Sequence, residues 1–264
     1  MTDELLVDER GPVAVIAFNR PAARNALTLG MLNGLTEALQ RFAARDDLRA
    51  VVLRGAGELP FSAGYNVEQL PDHTLSIADA SAIHAPVRAA ADAILACPHP
   101  VIGAARKFIF GAALDIFCHC DLRLCAHNTS FCMPPNRFGF MYPDEGVHRL
   151  ADVAGLSRAT QMLLLGLPVT TEVAAACGLV QETFPESSFE SDLEALCAAV
   201  ASNAPLSMRA SKRALLAYRQ QRAGKDSAAV ERMYADIAAC LNSADVQEGR
   251  AAFREKRPPR FQGK

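Results

Sequence analysis

The stretch PVIGAARKFIFGAALDIFCHCDLRLCA, residues 100–126, contains the pattern that decides the fold. Its first part, PVIGAA (100–105), is a short apolar run that predicts a buried strand, and LRLCA (122–126) predicts another. Between them, GAALDIFCHC (111–120) predicts a helix. Because a strand, a helix and a second strand in succession form a βαβ unit, the stretch indicates an α/β fold with a mainly parallel sheet.

The same alternation extends on both sides of this stretch. Three more strands are predicted, at residues 13–18, 50–55 and 179–184. Two more helices are predicted, at residues 29–44 and 77–96. Beyond residue 184 the pattern is helical, and one apolar helix face contains Val230, Met233, Ile237 and Leu241. We therefore predict an α/β core over residues 1–190 and a C-terminal helical region over residues 191–264.

Composition excludes several classes of protein. The chain has 264 residues, half of them apolar, and a net charge of −2, so no general basic field would attract nucleic acid. The start, MTDELLVDER, is acidic and lacks the apolar core of a secretory signal, and no run of about 18 apolar residues predicts a membrane span. The eight cysteines are spread through an ordinary-sized chain, which favours reduced thiols in a cytoplasmic protein.

The segment DIFCHCDLRLCAH (115–127) raises the question of a metal site, an active-site wall or a core segment. Zinc usually takes paired ligands such as C-x2-C, whereas Cys118 and Cys120 are two apart, as are Cys125 and His127. Residues two apart point to different faces of a helix, and a strand holds them too straight to close on one ion. We predict no metal here and interpret the cysteines as small buried apolar side chains.

Three stretches are candidates for chemistry. FSAGYN (61–66) is a small-residue turn whose backbone amides a ligand can approach closely. FGAALD (110–115) opens a helix, whose free N–H groups stabilise an anion or a developing oxyanion. The long loop MPPNRFGFMYPDEG (133–146) carries Arg137, Tyr142, Asp144 and Glu145. Each stretch also has a purely structural interpretation: a tight turn for the first, close packing for the second and a solvated turn for the third. None of the three is specific alone.

Together, five segments resemble the enoyl-CoA hydratase/isomerase family, also called the crotonase family, in the same order. They are residues 13–32, 51–66, 100–126, 149–185 and 251–261. The resemblance implies a crotonase-type spiral of ββα units with a C-terminal helical region that forms a homotrimer or a dimer of trimers. It also implies an acyl-CoA thioester as substrate, with coenzyme A as part of that substrate and no separate cofactor. No nucleic-acid or membrane partner is expected.

The resemblance also implies roles for particular residues. In the family, two backbone N–H groups hold the thioester oxygen, and the matching positions in this sequence are Ala63 and Ala112. Asp115 matches the first of two catalytic glutamates, so it lies at the mouth of the wall formed by residues 115–127. The positions that match coenzyme A contacts are Arg24, Ala26, Phe253 and Lys256. For Arg24 and Lys256, simple surface charge is the alternative interpretation.

The sequence departs from the family in its acids. Asp115 is one methylene shorter than the glutamate it replaces, a difference of roughly 1.5 Å. The second glutamate matches Pro135, which can neither accept nor donate a proton. The family's aspartate in the first oxyanion segment is Asn66. We therefore expect simple hydration to be slow unless another acid replaces the missing one.

The loop offers candidates for that acid. Some family branches place a catalytic aspartate in this loop, and Asp144 or Glu145 matches that place within one residue. A solvated turn is the alternative, since Pro-Asp-x-Gly is a good turn sequence. Tyr142 and His148 are weaker candidates.

Two functions from different classes remain open. The first is an enzyme acting on acyl-CoA thioesters, with hydratase as its first label and double-bond isomerisation or hydrolysis as others. The second is an acyl-CoA-binding protein with little turnover, which Pro135 favours and which keeps the same backbone oxyanion hole. The discriminating feature is whether a carboxylate other than Asp115 reaches the thioester.

Overall fold

The computed structural model describes residues 4–9, 11–66, 77–134, 142, 144–222, 244–257 and 259–264. Its strands are β1 (Leu5–Asp8), β2 (Val13–Phe18), β3 (Ala50–Gly55), β4 (Val101–Ala105), β5 (Phe108–Phe110), β6 (Leu122–Ala126), β7 (Ser130–Cys132) and β8 (Glu182–Phe184). Its α-helices are α1 (Leu29–Ala43), α2 (Ile77–Ala96), α3 (Ala112–His119), α4 (Asp144–Ala154), α5 (Leu156–Leu165), α6 (Thr171–Ala176), α7 (Phe189–Ala201), α8 (Pro205–Arg222) and α9 (Ala244–Glu255).

The main sheet has the order β1-β2-β3-β4-β6-β8. Strand β1 pairs antiparallel with β2, and every other pair in this sheet is parallel. Val51 lies opposite Val101, and Ile102 lies opposite Leu122. The predicted parallel sheet and the helix between β4 and β6 are confirmed, although the last predicted strand is shortened to Glu182–Phe184.

The two faces of the sheet carry separate apolar clusters because side chains alternate along a strand. Val51 and Leu53 belong to the larger cluster, which also contains residues of α1, α2 and α3. Val52 and Ile102 face the other way and pack with Phe189, Leu193 and Cys197 of α7. The boundary predicted after residue 190 therefore falls inside a helix that packs on the sheet, and α7 belongs with the core.

Three strands escaped the sequence pattern. Strands β5 and β7 form a second, parallel sheet in which Ile109 lies opposite Phe131. Each has three residues, which is too short for a periodic signal. Strand β1 is a four-residue edge strand in the acidic start of the chain. The β5 strand helps to position α3, because only Gly111 separates the two elements.

The cysteines predicted to be buried are buried. Cys118 lies in α3 and Cys125 in β6, and Cys120 follows α3. Burial raises the pKa of each of these three thiols to about 12, so they stay protonated at neutral pH. Within the described ranges, no group of three or more His, Cys, Asp or Glu side chains is arranged to hold a metal ion.

The C-terminal part of the described chain is helical, as predicted. Helix α8 covers 18 residues and α9 covers 12. The predicted apolar face from Val230 to Leu241 lies outside the described residues. Among the helices that are described, none has the length and apolar character needed to cross a bilayer.

Candidate active site

The segment 61–66 runs between two other stretches of backbone. On one side, the Ser62 N–H donates to the Phe108 carbonyl oxygen at 3.4 Å, and the Ser62 carbonyl accepts from Phe110 at 3.1 Å. On the other side, the Leu27 N–H donates to the Gly64 oxygen at 2.7 Å, and the Asn66 N–H donates to the Leu27 oxygen at 2.9 Å. Leu27 and Tyr65 thus form a parallel bridge, in which Gly64 and Asn66 make the two hydrogen bonds to Leu27. The residue between these two turns its own N–H to the opposite side. The N–H of residue 65 therefore points away from Leu27.

A buried polar network holds this segment in place. Asn25 is fully buried in a left-handed conformation, with a φ of 57°, and its side-chain amide donates to the Pro60 oxygen at 2.7 Å. The Ser62 hydroxyl donates to the Asn25 carbonyl oxygen at 2.6 Å and accepts from the Gly64 N–H at 3.0 Å. Because each buried polar atom named here has a partner, the network favours one conformation of the segment.

This geometry corrects the first predicted oxyanion position. The Ala63 N–H donates to the Arg24 carbonyl oxygen at 3.1 Å, so this amide is already used inside the protein. The Tyr65 N–H, two residues along, has no hydrogen-bond acceptor in the part of the chain that the structure describes. Tyr65, not Ala63, therefore offers a free backbone donor on this segment.

The second backbone donor lies where β5 meets α3. Two glycines with positive φ let the backbones touch, Gly64 at 99° and Gly111 at 52°. A methyl group on Gly64 would lie 2.8 Å from the Phe110 oxygen, which leaves no room for any other residue. Ala112 is the first residue of α3 and carries one of the N–H groups that a helix start leaves without an internal partner. The free amides of Tyr65 and Ala112 thus follow two glycines that are in contact.

Asp115 lies in the first turn of α3 and is 7% exposed. Its Oδ2 lies against the backbone of Gly146, where an added methyl group would be 3.1 Å away. Its Oδ1 lies 3.4 Å from Nδ1 of His119, which donates to the Asp115 main-chain oxygen at 2.8 Å. Burial lowers the pKa of His119 to about 4, so the imidazole is neutral at neutral pH and the contact is no ion pair.

Tyr142 and His84 form the next part of the site. The Tyr142 ring is buried against Gly146, and its centroid lies 6.3 Å from that of His84. Burial and the nearby charge of Asp115 raise the pKa of Tyr142, so the phenol keeps its proton. Burial, together with the charge of Arg88, lowers the pKa of His84. His84 had no signal in the sequence beyond being a histidine in a predicted helix.

For the two acids of the loop, Asp144 and Glu145, the structure describes the backbone alone. Helix α4 begins at Asp144, so the predicted loop ends earlier than expected, and Asp144 and Glu145 form the first turn of the helix, directly before Gly146. Their side chains lie outside the described residues, as does the whole of Pro135. His148 is exposed two residues beyond Gly146, on a different face of α4, and does not join the site.

The predicted coenzyme A contacts fall in two places. Arg24 is exposed in a left-handed conformation, with a φ of 51°, and its backbone is bonded to the segment that carries Tyr65. Ala26 is half-buried two residues further on. Lys256 is exposed directly after α9, and the side chain of Phe253 lies outside the described residues. Among the described residues of this set, Arg24 is bonded to the site through its carbonyl oxygen, and Ala26 directly precedes Leu27, which is bonded to the same segment.

Comparisons with known proteins identify the family. The family model described as Enoyl-CoA hydratase/isomerase matches residues 8–264. The chain belongs to the enoyl-CoA hydratase/isomerase family. It is 31% identical over 252 residues to a probable enoyl-CoA hydratase of Rhodobacter capsulatus, covering 96% of this chain and 95% of that one. It is 30% identical over 262 residues to the 2,3-dehydroadipyl-CoA hydratase of Escherichia coli, covering 99% of each.

The fold is also that of the family. A crystal structure of an enoyl-CoA hydratase/carnithine racemase from Magnetospirillum magneticum matches with a TM-score of 0.91 at 31% identity, covering 100% of this chain and 97% of that one. The predicted crotonase-type fold is therefore confirmed. The protein is an enzyme of the enoyl-CoA hydratase/isomerase type.

We expect Gly146→Ala to disable this family member without unfolding it. The added methyl would lie 2.7 Å from the Tyr142 ring and 3.1 Å from Asp115 Oδ2, so one or both side chains must shift. A shift of about 1 Å at a reacting group costs on the order of 100-fold in rate. Steady-state kinetics on the acyl-CoA that the wild type turns over would measure this loss in kcat/KM.

The matched control is Gly30→Ala in α1. There the nearest atom to an added methyl is the Thr28 hydroxyl oxygen at 3.8 Å, an ordinary contact. Its activity should equal that of the wild type. Normal activity of Gly146→Ala would show that Asp115 does not lie against Gly146 during turnover.

Proposed function

We propose that this enzyme adds water to the double bond of an enoyl-CoA thioester. The observation that carries the proposal is a pair of N–H groups, on Tyr65 and Ala112, that have no acceptor within the described ranges and that follow two glycines in contact, with Asp115 one helical turn further on. The names of the relatives support it, since they denote hydratases of enoyl-CoA and of 2,3-dehydroadipyl-CoA. Coenzyme A enters as part of the substrate, and no separate cofactor is needed.

In the proposed reaction, the thioester oxygen accepts hydrogen bonds from the N–H groups of Tyr65 and Ala112. Negative charge develops on this oxygen as water adds to C3, because the electrons of the double bond move towards the carbonyl group. Each such donor contributes about 3 kcal/mol of transition-state stabilisation. The positive end of α3 adds to the effect, since Ala112 is its first residue.

Proton transfer needs a base and an acid. The Asp115 carboxylate takes a proton from the attacking water, so that hydroxide bonds to C3, and a second carboxyl group, in its protonated form, delivers a proton to C2 and is left as a carboxylate. We assign the second carboxylate to Asp144 or Glu145. The support is that these residues form the first turn of α4, directly before Gly146, and that Gly146 lies against Asp115.

One observation favours a second reaction, migration of the double bond. The described part of the site supplies one carboxylate, Asp115, beside the candidate oxyanion donors. A single carboxylate suffices to take a proton from C4 and return it to C2, because the enolate that forms between the two steps is held by the same two N–H groups. Hydration, in contrast, requires a group that positions water.

We also propose that the protein is a homotrimer or a dimer of trimers. The support is apolar surface on α5 and the residues that follow it, where four leucines are exposed: Leu156, Leu164, Leu165 and Leu167. Exposed large apolar side chains concentrated in one segment favour a protein contact there. Arg24 and Lys256, as exposed cations, are proposed to meet the phosphates of coenzyme A.

Thermal unfolding with a panel of acyl-CoA thioesters tests the proposal. Binding to the native state should add about 2.7 kcal/mol of stability at 100 times the dissociation constant, and free coenzyme A should add less. The hydration of crotonyl-CoA and the migration of the 3-enoyl double bond would be followed in the same samples. No stabilisation by any thioester would contradict the proposal, and binding without turnover would leave an acyl-CoA-binding protein.

A further inference from the structure

Arg149 is a buried cation whose donors are unused. Its side chain lies in α4 and the residue is 6% exposed. Its Nε, Nη1 and Nη2 atoms all lack a hydrogen-bond partner within the described chain. Burial lowers the pKa of the guanidinium to about 10, which still leaves it charged at neutral pH. A buried charge without a partner is costly, so the unpaired guanidinium needs an explanation.

No carboxylate among the described residues accepts a hydrogen bond from Arg149. The positive charge of Arg219 also lowers the pKa of Arg149, and the one carboxylate that raises it, Asp152, is exposed. Arg123, the other neighbouring cation, is satisfied, since it donates to the main-chain oxygens of Leu179 and Cys120 at 2.8 and 2.9 Å. Two further cations therefore lie in the field of Arg149, whose own donors have no partner among the residues that the structure describes.

The position of Arg149 relates it to the proposed active site. It lies three residues after Gly146, on the same face of α4, and Gly146 lies against the Asp115 carboxylate. On α3, the positive charge of Arg149 acts to lower the pKa values of Cys118 and His119, which lie one turn beyond Asp115. Along α3, the Ala112 amide therefore comes first and Asp115 second, and the two residues on which the charge of Arg149 acts come last.

We propose that Arg149 binds a carboxylate at the far end of the acyl group, so that the preferred substrates are thioesters of dicarboxylic acids. This inference rests on the proposed function, because it assumes that the thioester oxygen lies at Ala112. A guanidinium offers paired N–H donors that match the two oxygens of a carboxylate. From Ala112 to His119 the helix rises about 10 Å, which an acyl chain of about six carbons and one hydrogen bond span.

Calorimetry with matched pairs of saturated acyl-CoA thioesters tests the inference. Each pair has the same number of carbons and differs only in a terminal carboxylate, and neither member reacts because neither has a double bond. In the wild type, the carboxylated member of the best pair should bind about 10- to 100-fold more tightly. In Arg149→Met this ratio should fall to near one. Arg41→Met, which changes an exposed arginine on α1 that pairs with Glu9, should keep the wild-type ratio.

The stability of the variant gives an independent readout. If Arg149 awaits a substrate carboxylate, Arg149→Met without ligand should melt at the wild-type temperature or above it, because a buried unpaired charge is removed. A lower melting temperature or a smaller assembly would show that Arg149 pairs with a protein carboxylate, and would overturn the inference. Equal binding of both members by the wild type would also overturn it and leave the proposed function standing. No binding of any thioester would overturn both.

Discussion

Asp115→Asn is expected to lower kcat by about 100- to 10,000-fold, the range that one positioned acid or base contributes. Asparagine has nearly the same shape as aspartate but cannot accept or deliver a proton at neutral pH. Asp115 is buried between His119 and Gly146, so an amide fits the same space. The dissociation constant of a saturated acyl-CoA should change little, because the proposed thioester contacts come from backbone N–H groups.

Single-turnover kinetics would measure the rate of the reaction, and calorimetry would measure the dissociation constant of the saturated acyl-CoA. The control is Asp152→Asn, which removes an exposed carboxylate from α4 and should leave kcat unchanged. A fully active Asp115→Asn enzyme would assign the proton transfer to other residues. Asp144→Asn and Glu145→Gln, measured in parallel, identify the second acid by which of them lowers kcat.

Ala112→Pro is expected to lower kcat/KM by about 100- to 1,000-fold, the effect of removing one oxyanion donor. Proline lacks the backbone N–H, so the change deletes the proposed hydrogen bond itself. The first position of a helix tolerates proline well, since its N–H has no internal partner and its φ suits the ring. The preceding Gly111 has no Cβ for the proline ring to meet. The fold should therefore survive the change.

The control for this experiment is Ala112→Gly, which keeps the N–H and should keep most of the activity. Circular dichroism and the melting temperature would confirm that the proline variant is folded. A proline variant with wild-type kcat/KM would show that the thioester oxygen does not lie at Ala112. Loss of activity in Ala112→Gly as well would point to the methyl group as part of the acyl pocket.

Much of the fold and part of the site could be predicted because their causes are local in the chain. The apolar runs at 13–18, 50–55 and 122–126 became β2, β3 and β6 at the same residues. The small residues before Asp115 indicated a helix start with free amides, and α3 begins at Ala112. The cysteines of the opening stretch were expected in the core and lie there.

The first oxyanion position could not be predicted in the same way. Ala63 and Tyr65 lie in the same small-residue segment, and nothing local distinguishes their amides. The difference comes from Arg24 and Leu27, about 40 residues earlier, whose backbones bond to Ala63, Gly64 and Asn66 and leave the Tyr65 amide facing the other way. A pairing between distant segments decides which N–H is free.

By itself the sequence determined the family, the succession of β2, α1, β3, α2, β4, α3 and β6, and the place of Asp115 in the first turn of α3, because spacing and residue type express these directly. Only the tertiary structure decided that Gly146 lies against Asp115, that the His84 ring lies near the Tyr142 ring, and that the donors of Arg149 are buried without a partner among the described residues. The physical reason is that burial and hydrogen bonding depend on which segments meet in space. A residue's availability for chemistry is set by its neighbours from other elements, and those neighbours are not encoded in its local sequence.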